Sequence, residues 1–413
     1  MRHSSAYSLI TASVLVLCAA CQTEVPFVSL GLDDIYKVAR MQALVLRPAY
    51  TGESYRWTVK TAAGADSLLC ESKDCIFLER NPGVYEVTFT ISDPVNPIVH
   101  PMTVYVVDEE VEYSPYITRV YEYRPAPGQF VNEMPRYSEG DTEEMMIQKA
   151  EESLSGSYGA GVSLGAYGGY VTFGFDHTVV NVPGEQDFRI DGNAFRSAQH
   201  QGLDAGSCEP GIVMVMFDDN QNGKPDDKWY EIDKNPWYTN DVARYGYSIT
   251  YFKPAADHIP VPGDGTLTDI EYVRWEDNAG GTDYVYKNKF HDQSYWPEWI
   301  PQEQLTFSGT LLPRNAEDVS GNGTYYIQYM FKYGAYADNY PNADTDENGG
   351  WMNGFDIGWA VDPVTREPAR LQGVDFIRVY TGINQYCGWI GETSTEIFAA
   401  RDLHVRVRPD QRQ

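Results

Sequence analysis

Short apolar runs broken by Gly, Pro, Asn and Asp recur along almost the whole chain, whereas helical spacing is convincing in one place only. Between residues 31 and 110 the runs Ala43 to Leu46, Tyr55 to Val59, Cys75 to Leu78, Val84 to Ile91 and Met102 to Val107 alternate apolar and polar positions. They predict a small β-sandwich. Residues 111–156 read as a linker with one short helix. The stretch from Asp108 to Tyr123 is acidic and extended, and Arg124-Pro125-Ala126-Pro127-Gly128 breaks it. The helix runs from Asp141 to Leu154, with Thr142 as its cap, Glu143 and Glu144 in the first turn, and Met145, Met146, Lys149, Ala150 and Leu154 at helical spacing. From 157 to 409 the strand pattern returns, in Gly161 to Phe175, Asp187 to Phe195, Ile212 to Phe217, an aromatic run from Trp237 to Tyr251, and Leu305 to Leu312. The expected fold is therefore all-β: two sandwiches in series with one short helix at their junction.

The strand Ile212 to Phe217 delivers the chain into Asp218-Asp219-Asn220-Gln221-Asn222-Gly223-Lys224-Pro225-Asp226-Asp227. Oxygen side chains at Asp218, Asn220 and Asn222, then Gly223, then Asp226, occupy positions 1, 3, 5, 6 and 9 of a calcium loop. Alternate oxygens wrap a hard cation, and glycine permits the sharp turn. Position 12 holds Trp229 instead of a bidentate Glu, so this is no EF-hand; it resembles the loops of dockerin-like and thrombospondin-type-3-like modules. A metal-free Asn-Gly turn competes with that reading. Asp344, Asp346, Asn348 and Gly349 repeat the spacing of positions 1, 3, 5 and 6, with Asp356 downstream as a further candidate ligand. Here Met352 stands at position 9, so calcium and an acidic turn compete evenly. Any calcium is expected to be structural.

Charge narrows the partners. Lys and Arg number 31 against 59 Asp and Glu, a formal charge of -28, which repels phosphate backbones and excludes nucleic acid as a partner. Arg2 and His3, the apolar Leu9 to Leu17, and Ala19-Ala20-Cys21 resemble a bacterial lipoprotein signal. That resemblance implies that residues 1–21 are a signal with Cys21 lipidated, that 22–30 are a tether, and that the protein is anchored in the outer membrane through lipid alone. Cys70 and Cys75 are close enough to bridge a hairpin loop; whether Cys208 and Cys387 pair is left open.

Tyr55-Arg56-Trp57 followed by Gly83 to Val87 resembles PKD-like immunoglobulin-fold domains, in which a strand tryptophan packs in the core. Phe355 to Asp362, Leu371 to Gly382 and Gly388 to Ile397 resemble the closing strands of jelly-roll domains in surface lipoproteins of gut Bacteroidetes, and Val162 to Phe195 with Glu209 to Ile232 the opening half. Some relatives with this arrangement are encoded beside TonB-dependent transporters in vitamin B12 uptake loci. The resemblance implies a cell-surface protein that binds a small-molecule nutrient for such a transporter, with a corrinoid as the leading ligand.

Candidate chemistry favours a binder over an enzyme. No HExxH occurs, and no carboxylate pair for glycoside hydrolysis stands out by spacing. Trp229, Tyr230, Trp237, Tyr238, Trp296, Trp299 and Trp351 fall in expected loops, where aromatic faces can stack on sugar rings or on the edge of a corrin. Glycan binding or adhesion is the alternative to nutrient capture, and a glycoside hydrolase the second alternative.

Overall fold

The computed structural model describes residues 29–61, 64–92 and 98–405. The signal sequence, Cys21 and most of the tether lie outside the described residues. Among those residues no helix is long and apolar enough to cross a membrane. The chain is all-β, with several sheets around two principal apolar cores.

The first core is built by alternation. Val87, Phe89 and Ile91 on strand Gly83–Ser92, and Met102, Val104 and Val106 on Ile98–Val107, point to one face and are buried. These two strands pair antiparallel, Ser54–Lys60 and Asp66–Cys70 extend the sheet on one side, and Ile35–Ala39 adds in parallel on the other. Leu44–Leu46 pairs with Cys75–Phe77 as a second, small sheet. Trp57 is the centre of this core, as expected. Its ring lies 4.2 Å from that of Phe89, and its indole N–H donates to the carbonyls of Ser72 and Lys73. The edge strands Ile35–Ala39 and Asp66–Cys70 are partly exposed, which is why their sequences show no clean alternation.

The larger core lies between two antiparallel sheets. One has the order Ala360–Val361, Tyr230–Ile232, Gly211–Met216, Phe376–Thr381, Tyr170–Gly174, Arg119–Arg124. The other has the order Thr282–Asn288, Leu267–Asp277, Arg244–Phe252, Gln304–Leu311. Polar links cross the apolar layer between them. The Thr310 amide donates to the Tyr380 hydroxyl at 2.8 Å, and the Thr310 hydroxyl donates to Glu231 at 2.6 Å. The Tyr251 hydroxyl donates to the carbonyl of Tyr167.

Two expectations need correction. Residues 117–131 are not linker: Arg119–Arg124 is the edge strand of the six-stranded sheet, and Ile117, Val120, Tyr123, Ala126 and Val131 are buried in the larger core. The acidic residues Glu109 to Glu112 and the Pro-rich run masked that register. The helix Glu143–Leu154 forms with Thr142 as its cap and buries Met146, Ala150 and Leu154, while Glu151 accepts from the amide of Val120 at 2.9 Å. A second helix, Pro236–Val242, replaces part of the expected extended aromatic run. Asn235 caps it through the amide of Tyr238, and Pro236 suits its first turn.

All four described cysteines carry free thiols. The expected bridge between Cys70 and Cys75 is not made here, although the two thiols lie within hydrogen-bonding reach of each other. Cys208 and Cys387 are both buried, and burial pushes the Cys387 thiol up to about 11.

Candidate functional site

The loop after strand Gly211–Met216 closes around its own oxygens. Asp218 accepts from the amides of Asn222 and Gly223 at 3.1 and 2.8 Å, and Asn220 accepts from the amide of Asn222 at 3.0 Å. Asp226 receives the side-chain amides of Asn220 and Asn222 at 3.0 Å, and those bonds hold its carboxyl below the usual carboxylate range. Gly223 has φ +71° and Gln221 φ 55°, so the sharp turn falls where the spacing placed it. The side chains of Asp218, Asn220, Asn222 and Asp226 thus share one small volume. Two carboxylates and two amides are a hard, all-oxygen donor set of the kind calcium takes, and these residues fit it. Trp229, at position 12, is committed elsewhere: the Arg378 guanidinium lies 4.3 Å from its ring and 4.4 Å from that of Tyr170.

The second loop is built differently. Asp344 is paired with Arg196, which also reaches Asp204 at 3.1 Å, and Asp346 lies 4.0 Å from Lys234. Asp346 caps the turn by accepting from the amides of Asn348 and Gly350 at 2.9 Å. Asp356 caps a separate short turn through Gly358. With a guanidinium and an ammonium already beside these carboxylates, this loop does not fit a divalent cation.

Instead it forms one wall of an open cleft of about 840 Å³. Arg196, Lys234 and Lys332 supply cations, Asp204, Asp344 and Asp346 carboxylates, and Tyr333 and Tyr340 aromatic surface. Tyr238 meets Tyr333 edge to face at 5.5 Å. Trp237, next to Lys234 and Asn235 in sequence, is 86% exposed. Its indole offers a flat apolar face to solvent.

The remaining aromatic candidates divide. Trp296 and Trp299 are 1% and 6% exposed and belong to the larger core, so the expectation that they face a ligand in a loop is corrected. Trp299 stacks near Tyr123 at 5.7 Å. Tyr230 is half-buried with Lys228 over its face, and Trp351 is covered by Arg189 at 4.3 Å. Trp237 and Tyr238 follow the cleft residues Lys234 and Asn235 in sequence, and Tyr238 packs on Tyr333 of the cleft wall. Arg196, Lys332, Tyr333 and Tyr340 went unnoticed in sequence, although the aromatic run Tyr333, Tyr336, Tyr340 behind Lys332 was a usable signal.

A third group of carboxylates is buried. Glu209, Asp338 and Glu396 bring oxygens within 4.8 Å of one another. Asp338, at φ 51°, accepts from the amides of Asn193, Ala194 and Glu396; Glu209 accepts from the amide of Ser394, and Glu396 from the hydroxyl of Ser394. Among the described residues none of the three is paired with Lys, Arg or His. Burial raises all three, and repulsion from Glu396 adds to the rise of Glu209 and of Asp338, the latter to about 8, so protons are retained in the cluster at neutral pH.

No protein-family model and no curated protein matches this chain. A solved structure described as the "Structural basis for the promiscuous specificity of the carbohydrate- binding modules from the beta-sandwich super family" aligns with 88% of this chain and 91% of its own, at 10% identity and a TM-score of 0.15. At that score the likeness carries no argument. The β-sandwich assignment rests on the sheets themselves.

Proposed function

We propose that this chain is a non-enzymatic, lipid-anchored outer-membrane protein whose larger sandwich captures a sugar-like ligand in the cleft beside Trp237. One observation carries the reading: an indole that is 86% exposed adjoins Tyr238 in sequence, and Tyr238 packs on Tyr333 at the wall of a cleft offering both cations and carboxylates. Pyranose rings present apolar faces to aromatic rings, and their hydroxyls both donate and accept hydrogen bonds. Arg196 and Asp344, already paired, could each hold one hydroxyl of a neighbouring pair. The membrane anchor rests on the sequence Ala19-Ala20-Cys21 alone. Calcium in the Asp218 to Asp226 loop belongs to the same proposal as a structural ion. Arg47 of the smaller sandwich donates to the carbonyl of Asp219 at 3.0 Å, so an ordered loop would also steady the contact between the two sandwiches.

A corrinoid handed to a TonB-dependent transporter is the other ligand carried forward from the family resemblance. Calorimetric titration of the mature chain in calcium-containing buffer separates the two. Saturable binding of a neutral oligosaccharide, lost in Trp237→Ala, supports the cleft reading. Binding of cyanocobalamin with no response to any oligosaccharide would replace it.

A further inference from the structure

A second cavity, of about 510 Å³, opens on the other side of the larger domain's outer sheet, beside strands Leu267–Asp277 and Thr282–Asn288. Its floor is unusually well fixed. Asp269 is 2% exposed, accepts from the amides of Val261 and Glu271 at 3.1 and 3.0 Å, and takes Nε2–H of His258 at 2.6 Å. Three hydrogen bonds from the fold thus hold that carboxylate in place.

The donors around it are not used up. Lys287 donates to one acceptor, the carbonyl of Asp292 at 2.8 Å, and its ammonium lies 4.8 Å from the Tyr272 ring; burial pushes its pKa down. Lys253, half-buried on the same wall, has no ion pair or side-chain hydrogen bond among the described residues. Trp296 also lines the cavity. It is 1% exposed and its indole N–H has no accessible surface, so it backs the wall as packing and does not reach a ligand. The acidic side chains that also reach the cavity, Asp292 and Glu298, are exposed at its rim, where solvent screens them.

We infer that this cavity is a binding site for a carboxylate-bearing pyranose, with the carboxylate received by Lys287 and Lys253 and the ring seated against Tyr272. Two ammonium groups are donors only, so the ligand must bring acceptors. The apolar wall selects a ring over a small inorganic anion. The site is separate from the Trp237 cleft and stands or falls without it.

The test is calorimetric titration of the mature chain with D-galacturonate, trigalacturonate and neutral D-galactose. Galacturonate should bind, galactose should be weaker by about tenfold or more, and Lys287→Met and Lys253→Met should each weaken galacturonate by about tenfold. Trp237→Ala, which disables the cleft, should leave this binding unchanged. Trimer binding far above monomer would assign the site to polymer chains, and equal binding to free sugar acids; both support it. The inference is overturned if galactose binds as well as galacturonate, if Lys287→Met has no effect, or if neither acid binds.

Discussion

Asp218, Asn220 and Asn222 share their spacing with Asp344, Asp346 and Asn348, yet the two loops are built to different ends. In the first, the acceptors turn inward on one another's amides and no Lys or Arg side chain bonds to Asp218 or Asp226. In the second, Arg196 arrives from a strand nearly 150 residues upstream and takes Asp344, while Lys234 approaches Asp346. The spacing of oxygens along a chain says where a cation could sit. What the rest of the fold brings to the loop decides whether that place stays open: Arg196 and Lys234 reach the second loop, whereas the first keeps its oxygens turned on its own amides.

The largest expected effect follows directly. Calcium should raise the melting temperature of the mature chain, Asp218→Ala should abolish that rise, and Asp344→Ala should leave it intact. At free calcium a hundredfold above Kd the stabilisation would be about 2.7 kcal/mol, enough to move a melting curve by several degrees. Differential scanning calorimetry with calcium and with chelator makes the comparison. Equal melting in both buffers would place the first loop with the second, as a turn.

The buried trio sharpens the contrast from another direction, because Glu209, Asp338 and Glu396 have neither a cation nor enough amides to carry full charge. Their pKa values in the folded chain are raised above those of the unfolded chain, so the folded state holds more protons. Stability from this cluster is complete below about pH 4, falls as pH rises, and is lost by the pH near 8 to which Asp338 is raised. Glu396→Gln should flatten that decline, read as melting temperature between pH 5 and 8.5. A slope unchanged by this substitution would mean that the cluster holds a cation rather than protons.

Trp237→Ala should leave melting unchanged within about 0.5 kcal/mol, since the ring buries little, and should weaken oligosaccharide binding by about tenfold or more. Arg196→Ala should weaken the same ligand less, because Lys234 and Lys332 remain in the cleft. Loss of stability with no change in binding would make the cleft a structural feature of the second loop.

These residues also show what a chain discloses before it folds. Alternation in Val84 to Ile91 and Met102 to Val107 announced a sandwich because one face of each strand is buried and the other is not. The Asp218 to Asp226 loop was legible because its geometry is local. Trp296 and Trp299 were misjudged because Ser294, Pro297 and Glu298 look like surface, yet the side-chain amide of Asn132, 164 residues away in sequence, donates to the carbonyl of Trp296 and ties it to the core. The Glu209, Asp338 and Glu396 cluster was invisible for the same reason: its members meet only through long-range pairing of three separate segments. Arg119–Arg124 was hidden because Arg119, Glu122 and Arg124 place charge on an edge strand, where only one side of each residue need be apolar.

The smallest expected effect is at the acid end and belongs to the first loop alone. Hydrogen bonds from Asn220 and Asn222 hold Asp226 below its ordinary range, so its folded pKa is depressed. A depressed carboxylate contributes stability above its unfolded pKa, near 4, and that contribution is lost as pH falls through the folded value. Asp226 is fully exposed, so the change should be slight and salt-sensitive. Asn220→Ala should therefore raise the titration midpoint of Asp226, followed by its side-chain carboxyl carbon in NMR, with little change in global melting. In calcium the midpoint should fall further, because an ion at Asp226 competes with the proton. A midpoint at Asp226 that ignores calcium would remove the distinction between the two loops.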